Sequence, residues 1–199
     1  MVKPPPQLQK LIALLRKLPG VGAKSAERYA FELLNWEPTS LDLLSESVRS
    51  LREEIYPCPT CYCLKSRAPC EFCDTSKRQT QSLCIVSHAK DVYPLEETHA
   101  FKGLYHVLGT VFSPMQGKHS EQIDVESLKK RIIENNVKDI IFALDSTLEG
   151  DATALYLKEE MKSWNVSISR LALGIPLGSS FEYIDLGTLA RALLGRQQF

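Results

Sequence analysis

Four cysteines in two closely spaced pairs constrain the fold of this 199-residue chain more than any other feature. Their spacing is Cys58-x2-Cys61-x8-Cys70-x2-Cys73. Each CxxC pair forms a tight turn that presents two sulfurs, and the eight-residue connection allows the two turns to face each other. This pattern predicts one structural zinc ion, because four thiolates complete a tetrahedral coordination sphere and leave no position open for water.

The segment around these cysteines, residues 57–80, is rich in proline, lysine and arginine and shows no apolar periodicity. So short a segment cannot bury a hydrophobic core of its own, and a bound metal is therefore the expected organiser of its fold. The alternative is four unrelated buried cysteines, which the doubled spacing disfavours. Cys63 is out of register with the pairs and Cys84 lies in an apolar run, so neither is predicted to be a ligand.

The overall composition is that of an ordinary globular protein, with 44% hydrophobic and 24% charged residues. This excludes a mostly disordered or fibrous chain. No apolar run approaches the roughly 18 residues that a membrane span requires, and the N-terminus lacks the apolar core of a secretory signal. The expected location is therefore the cytoplasm, where clustered cysteines bind metals more often than they form disulfides.

The first 56 residues are predicted to be helical. Apolar residues recur at helical spacing up to Leu18, and Pro19 and Gly20 then break the pattern. A second helix is predicted over residues 23–34, and a third helix is predicted to begin near Thr39.

The break between the first two helices is a candidate phosphate-binding site. Residues 1–31 contain six basic residues and one acidic residue, although the whole chain has no net charge. The second helix begins just after Gly22, so its first backbone N–H groups are free to bind an anion. Lys24 and Arg28 lie four residues apart, on one face of that helix. The alternative is a packed helical hairpin that binds no ligand.

From residue 81 onwards, short apolar runs alternate with helical patterns. Strands are predicted over residues 83–86, 103–108, 139–144 and 166–173, and helices over 124–135, 151–164 and 188–195. Strands that are separated by helices indicate a mostly parallel sheet with helical crossovers. The predicted fold class is therefore α/β, with an N-terminal helical segment and a C-terminal helical tail.

Three acidic residues follow the clearest predicted strand, at the edge where α/β sheets bind ligands: Asp145, Glu149 and Asp151. The stretch resembles the second half of a Toprim motif. In active Toprim enzymes, a glutamate on the first strand joins two aspartates around Mg²⁺. Here Ser87 and Thr147 occupy two of those positions, and a hydroxyl group supplies no charge. The resemblance therefore implies a Toprim fold without catalytic residues.

Taken in order, these segments resemble the RecR family of bacterial recombination mediators over nearly the whole chain. The break at residues 18–22 resembles a helix-hairpin-helix motif, which binds the DNA backbone without reading bases; Gly20, Gly22, Lys24 and Arg28 are then the DNA-binding residues. Family-like segments also occur at residues 105–109, 113–114, 149–154, 182–185, 188–189 and 192–196. The departures are Ser87 in place of glutamate, Asp145 in place of asparagine, and a short segment after residues 115–117.

The resemblance implies four regions: a helix-hairpin-helix domain (1–56), a four-cysteine zinc finger (57–80), a Toprim domain (81–175) and a C-terminal assembly segment (176–199). It also implies a homo-oligomer, a tetrameric ring that encircles DNA. The helix-hairpin-helix and C-terminal segments would supply the contacts between its subunits. The partners implied are RecO and, in many bacteria, RecF, with which the family helps to load RecA. We hypothesise that Asp145, Glu149 and Asp151 form an acidic edge that binds a basic RecO-like partner.

Two functional interpretations remain open. The first is a DNA-binding clamp protein that is not an enzyme. The second is a Toprim-type, Mg²⁺-dependent nuclease or primase-like enzyme, which the incomplete acidic set disfavours. A sequence-specific zinc-finger regulator is disfavoured as well, because no basic helix that could read bases adjoins the cysteines.

Overall fold

The structure is a computed structural model that describes residues 3–113 and 122–196. The chain divides into two compact units, Met1–Glu54 and Ile55–Phe199. The segment after residues 115–117 that was expected to be short lies outside the described residues.

The first unit consists of three helices: α1 (Pro6–Leu15), α2 (Ala23–Leu33) and α3 (Pro38–Glu54). Helix α2 begins at the predicted residue, and α3 begins one residue before the predicted start. Leu8 of α1 and the alanines Ala26 and Ala30 of α2 are buried. Two alanines one turn apart leave little side chain between the helices, so α1 and α2 can approach each other closely.

Helix α3 carries an apolar stripe that is not covered. None of its residues is buried, and Leu44, Val48 and Leu51 on the stripe are all exposed, Val48 at 61%. A helix in a globular protein gains most of its stability from packing such a stripe against another surface. The stripe is therefore available for a further contact.

The second unit contains two sheets. Strands β1 (Tyr56–Pro57) and β2 (Leu64–Lys65) form a small antiparallel pair that brackets the first CxxC turn. Four further strands form a parallel sheet in the order β4-β3-β5-β6. They are β3 (Gln79–Val86), β4 (Gly103–Val107), β5 (Asp139–Ala143) and β6 (Ser167–Arg170). The parallel sheet confirms the predicted α/β class.

Helices connect the parallel strands and complete the tail: α4 (Val92–Glu97), α5 (Val125–Glu134), α6 (Leu148–Glu160) and α7 (Leu186–Leu194). Helix α6 begins three residues earlier than predicted, because Thr147 is its N-cap and accepts a hydrogen bond from the Gly150 N–H at 3.1 Å. Helix α4 was not predicted, since six residues that include Pro94 show no helical period. No helix in the described ranges is both long and apolar enough to cross a bilayer.

Side-chain alternation along β3 separates two cores. Leu83 and Ile85 lie in a core with residues of α5 and α6, whereas Cys84 and Val86 lie in a second core on the other face of the sheet. The second core contains α4 and three cysteines of the finger, Cys58, Cys61 and Cys63. The cysteine-rich segment therefore covers one face of the sheet and is part of the same fold.

Hydrogen bonds from the Arg78 side chain connect the finger to the sheet. Its side chain is 11% exposed and forms two hydrogen bonds of 2.8 and 3.0 Å to the Glu96 carboxylate of α4. It also donates to the carbonyl oxygens of Glu71 in the finger and Gly103 in β4, and its guanidinium lies over the Phe72 ring. Arg78 is therefore occupied by internal contacts, in contrast to its exposed neighbour Lys77.

We expect Glu96→Gln to lower the free energy of unfolding by about 1 kcal/mol, the usual scale for a partly exposed charged hydrogen bond. Hydrogen bonds from Arg78 hold the pKa of Glu96 below its usual value. The contribution is therefore complete above the unfolded pKa of about 4.3 and disappears as the pH falls through the lower folded value. Urea denaturation at pH 7 and at decreasing pH measures both effects.

The matched control is Glu97→Gln, which alters the adjacent, exposed carboxylate. It should leave the unfolding midpoint at pH 7 unchanged. Equal losses in the two variants would mean that the Arg78–Glu96 pair does not stabilise the joint between finger and sheet.

Candidate metal centre and nucleic-acid interface

The four sulfurs that the spacing singles out converge on one point. The Sγ atoms of Cys58, Cys61, Cys70 and Cys73 all lie within 4.8 Å of one another. Two pairs are closer, Cys58 with Cys73 at 3.9 Å and Cys61 with Cys70 at 3.6 Å. A tetrahedron with Zn–S bonds of about 2.3 Å has S–S edges of about 3.8 Å. The cluster therefore fits one four-coordinate structural metal ion.

Backbone hydrogen bonds shape the first CxxC turn and attach it to the sheet. The Cys58 N–H donates to the Cys63 carbonyl at 2.8 Å, and Tyr62, at a left-handed φ of 60°, donates to the Cys58 carbonyl at 2.9 Å. The Val107 N–H at the end of β4 donates to the Cys61 carbonyl at 2.9 Å. The Tyr62 hydroxyl reaches Asp124, the N-cap of α5, at 3.1 Å. Contacts with β4 and with the start of α5 therefore hold the first CxxC turn, which carries two of the four sulfurs.

Burial and mutual hydrogen bonding raise the pKa values of three thiols in the cluster. Hydrogen bonding with Cys63 and burial raise the pKa of Cys61, and burial raises that of Cys70. Hydrogen bonding with Cys61 and burial raise the pKa of Cys73. Crowded thiols of this kind ionise together only when a metal supplies the compensating positive charge. Cys84 lies outside the four-sulfur cluster, and burial alone raises its pKa to about 12.

The acidic edge lies at the carboxyl ends of β3 and β5, where the chain changes the side of β3 on which it adds the next strand. The chain runs from β3 outward to β4 and then returns to β5 on the other side of β3, so the carboxyl ends of β3 and β5 are neighbours. Ser87 follows β3, is 1% exposed, and its Oγ has no hydrogen-bond partner in the described parts of the chain. Asp145 follows β5 and is exposed. A Cβ on Gly150 would collide with the Asp145 carbonyl, so only glycine permits this close start of α6.

The three acids of this edge differ in their surroundings. Asp151 is paired with two arginines, Arg170 of β6 at 2.6 Å and Arg191 of α7 at 3.1 Å. Asp145 and Glu149 form no ion pair within residues 3–113 and 122–196. The arginine partners were missed in the sequence, because charge pairing over 19 and 40 positions leaves no local signal.

The helical hairpin brings its four candidate residues to one end of α2. Gly20 has a φ of 77°, which glycine adopts without strain, and Gly22 is the extended N-cap of α2. Lys24 and Arg28 are exposed, and the Arg28 guanidinium lies 5.5 Å from the centre of the Tyr29 ring. A Cβ on Gly22 would meet no atom within 4 Å, so the space in front of the helix is open.

Comparisons with known proteins agree with this arrangement. Residues 8–51 match the family model described as RecR, helix-hairpin-helix, residues 81–172 match the Toprim domain, and residues 174–197 match RecR, C-terminal. The chain is 51% identical to Recombination protein RecR of Protochlamydia amoebophila (strain UWE25) over 98% of both chains. It is 53% identical to Recombination protein RecR of Chlamydia felis (strain Fe/C-56) over the full length of both. The chain belongs to the RecR family. As a RecR-family member it is a recombination protein, with the helix-hairpin-helix and Toprim modules that the sequence predicts.

We expect Cys61→Ser to reduce metal content and soluble yield together, because the RecR-family finger has lost one of four ligands. Structural zinc in small fingers contributes roughly 10–16 kcal/mol of apparent binding energy, so the finger should unfold. Cys63→Ala is the matched control, since it removes a buried neighbouring thiol that lies outside the four-sulfur cluster. Elemental analysis of freshly purified protein makes the comparison. Well under one metal ion per chain in the parent would contradict the site.

Proposed function

We propose that this chain is a DNA-binding mediator of recombinational repair that acts in the cytoplasm as a clamp and catalyses no reaction itself. The observation that supports this most directly is the exposed Lys24 and Arg28 beside the open N-terminus of α2, in a chain that belongs to the RecR family over its whole length. The proposed division of labour follows the four predicted regions, 1–56, 57–80, 81–175 and 176–199.

The metal in this proposal is zinc, one ion per chain, in a structural role. Thiolate ligands select zinc and other soft cations over Mg²⁺ and Ca²⁺. Four sulfurs leave no open position, so the ion supplies folding energy and no chemistry. The residues that would hold it are the four clustered cysteines.

DNA binding is assigned to the hairpin. Backbone N–H groups at the start of α2 and the positive end of its dipole suit a phosphate, and Lys24 and Arg28 add two cations on the same helix face. Contacts of this kind grip the backbone and do not read bases, so binding is independent of sequence. One hairpin alone is a weak site.

Assembly into a homo-oligomer, with a tetrameric ring as the proposed form, overcomes this weakness. The uncovered α3 stripe, with Leu44, Val48 and Leu51 exposed, is a surface that a second copy could cover. In the C-terminal segment, Leu186, Leu193 and Leu194 of α7 are also exposed. Exposed apolar faces in two places allow each chain to contact two others, which is what a ring requires. Four copies would present eight cations to one duplex.

We expect the double variant Lys24→Ala, Arg28→Ala to lose most duplex DNA binding while its metal content and solution mass stay those of the parent. In the parent, the slope of log affinity against log salt should approach about −7 if eight phosphates are neutralised, and about −2 for two. Fluorescence anisotropy at several salt concentrations gives the slope. Analytical ultracentrifugation with and without DNA gives the mass, so the two together relate phosphate contact to assembly.

The matched control is Lys158→Ala, Lys162→Ala, which removes two exposed cations at the same spacing from the other unit. It should bind DNA as the parent does. If the hairpin variant binds as tightly as this control at equal salt, the hairpin is only a packing element. The finger cations Lys65, Arg67 and Lys77 would then be tested next; Arg78 is occupied by Glu96.

Partner binding is assigned to the acidic edge at the carboxyl ends of β3 and β5. Asp145 and Glu149 are the acids without internal ion pairs among the described residues, so they are the charges that a basic RecO-like protein would meet. Asp151 belongs to the same edge, but its charge is offset by Arg170 and Arg191. Its proposed role there is to hold the C-terminal segment beside the edge. Cooperation with a RecF-like protein and the loading of RecA are part of the same proposal.

We expect Asp145→Lys, Glu149→Lys to slow association with RecO and to reverse its salt dependence, because charges at the rim of an interface act mainly on association rate. Surface plasmon resonance at two salt concentrations measures both. Asp151→Asn is the informative comparison: it should change association less, but should expose the C-terminal segment to limited proteolysis. Unchanged binding by the double lysine variant would remove the acidic edge from the proposal.

The second candidate function is a Mg²⁺-dependent Toprim enzyme, a nuclease or a primase-like catalyst. The remaining acids Asp145 and Glu149 are the observation in its favour. Against it, Ser87 is a buried hydroxyl, Thr147 serves as the cap of α6, and Asp151 is paired with arginines. DNA cleavage with Mg²⁺ or Mn²⁺ that disappears in Asp145→Asn would establish the enzyme and displace the clamp proposal.

A further inference from the structure

Arg131 of α5 is a buried cation that has no acidic partner among the described residues. The residue is 2% exposed, and no carboxylate forms an ion pair with it within the described ranges. Its Nε and Nη2 atoms have no hydrogen-bond partner there. Within the same ranges, its one polar side-chain contact is from Nη1 to the Sγ of Cys73, at 3.4 Å.

The two other ionisable groups described near Arg131, Asp124 and His106, do not supply the missing negative charge. Asp124, which caps the same helix, accepts hydrogen bonds from Ser127 and Tyr62 and is not paired with Arg131. His106 is also buried, and it adds no negative charge in either protonation state. Burying an arginine without a counter-ion is strongly unfavourable. Within the described ranges, the polar side chain that the guanidinium contacts is Cys73, so the sulfur cluster is the candidate source of the compensating charge.

The contact between Arg131 and Cys73 matches a metal-bound sulfur cluster. Four neutral thiols or two disulfides would leave Arg131 uncompensated. Four thiolates around one divalent cation carry four negative charges against two positive ones, which leaves a net negative centre beside the guanidinium. A charged donor to a thiolate is also a stronger hydrogen bond than a neutral one.

We propose that Arg131 is the internal counter-ion of the metal centre, a positioning residue outside the coordination sphere that holds Cys73 and offsets the charge of the four-thiolate site. The contact joins the finger to α5 across 58 positions of sequence. Loss of the metal would therefore leave a buried, unpaired cation inside the Toprim domain. The effect of the metal on stability then extends beyond the finger. This inference does not depend on the proposed DNA-binding function.

The first test compares Arg131→Met with Lys130→Met, which removes an exposed cation from the neighbouring position of the same helix. Zinc-loaded proteins are mixed with a chromogenic chelator at fixed pH, and the release rate is measured. We expect release from Arg131→Met to be about 10–100-fold faster than from the parent, the usual scale for residues that support the ligands of a metal. Lys130→Met should match the parent. Equal rates for Arg131→Met and Lys130→Met would overturn the proposal.

The second test uses the sign of the stability change. With zinc bound, the parent should have a higher unfolding temperature than Arg131→Met. After chelation this order should reverse, because methionine buries no charge where arginine buries an unpaired one. A difference that is the same with and without zinc would show that Arg131 contributes packing alone, and the proposal would fail.

A third measurement needs no variant and serves if Arg131→Met does not fold. Amide hydrogen exchange in α5 of the parent protein is compared before and after zinc removal. We expect exchange to accelerate across Val125–Glu134, because the stranded cation must reach water. Acceleration that is confined to the finger would refute the coupling.

Discussion

The fold of the second unit depends on how the two faces of β3 are covered. Its alternating side chains, Leu83 and Ile85 on one face and Cys84 and Val86 on the other, require two coverings. The helices α5 and α6 supply one of them. On the other face the short α4 supplies part of the cover, and the finger completes it. The four-cysteine cluster therefore lies within the cover of this face, and its candidate metal ion would support the sheet as well as the finger.

Much of this architecture follows from local sequence. The doubled CxxC spacing identifies four sulfurs that the fold brings within 4.8 Å. The apolar runs within β3 and β5 are short and uninterrupted, as expected for strands that are buried on both faces. The turn at Gly20 and Gly22 marks the start of α2 to the residue. In each case the signal lies within at most 16 consecutive positions, the span from Cys58 to Cys73, so propensity and pattern suffice to predict it.

What the sequence does not disclose is the long-range pairing of charge. Arg78 with Glu96, Asp151 with Arg170 and Arg191, and Arg131 with Cys73 are separated by 18 to 58 positions. Each pairing depends on the assembled sheet, so no local pattern indicates it. These contacts also separate residues that look alike in sequence: Arg78 is held by Glu96 while its neighbour Lys77 is exposed, and Asp151 is neutralised while Asp145 is exposed.

The same contacts show how a Toprim sheet can persist without its acidic set. Thr147 stands where an aspartate would bind metal and instead caps α6, and Asp151 fastens the C-terminal segment through Arg191. Two positions of the Toprim acidic stretch, Thr147 and Asp151, therefore make structural contacts: the first with the start of α6 and the second with α7. Metal binding by Asp151 would first have to break its ion pairs with Arg170 and Arg191. In the proposed function, Asp145 and Glu149 are therefore the charges of this edge that remain for a partner, because Asp151 is already paired with arginines.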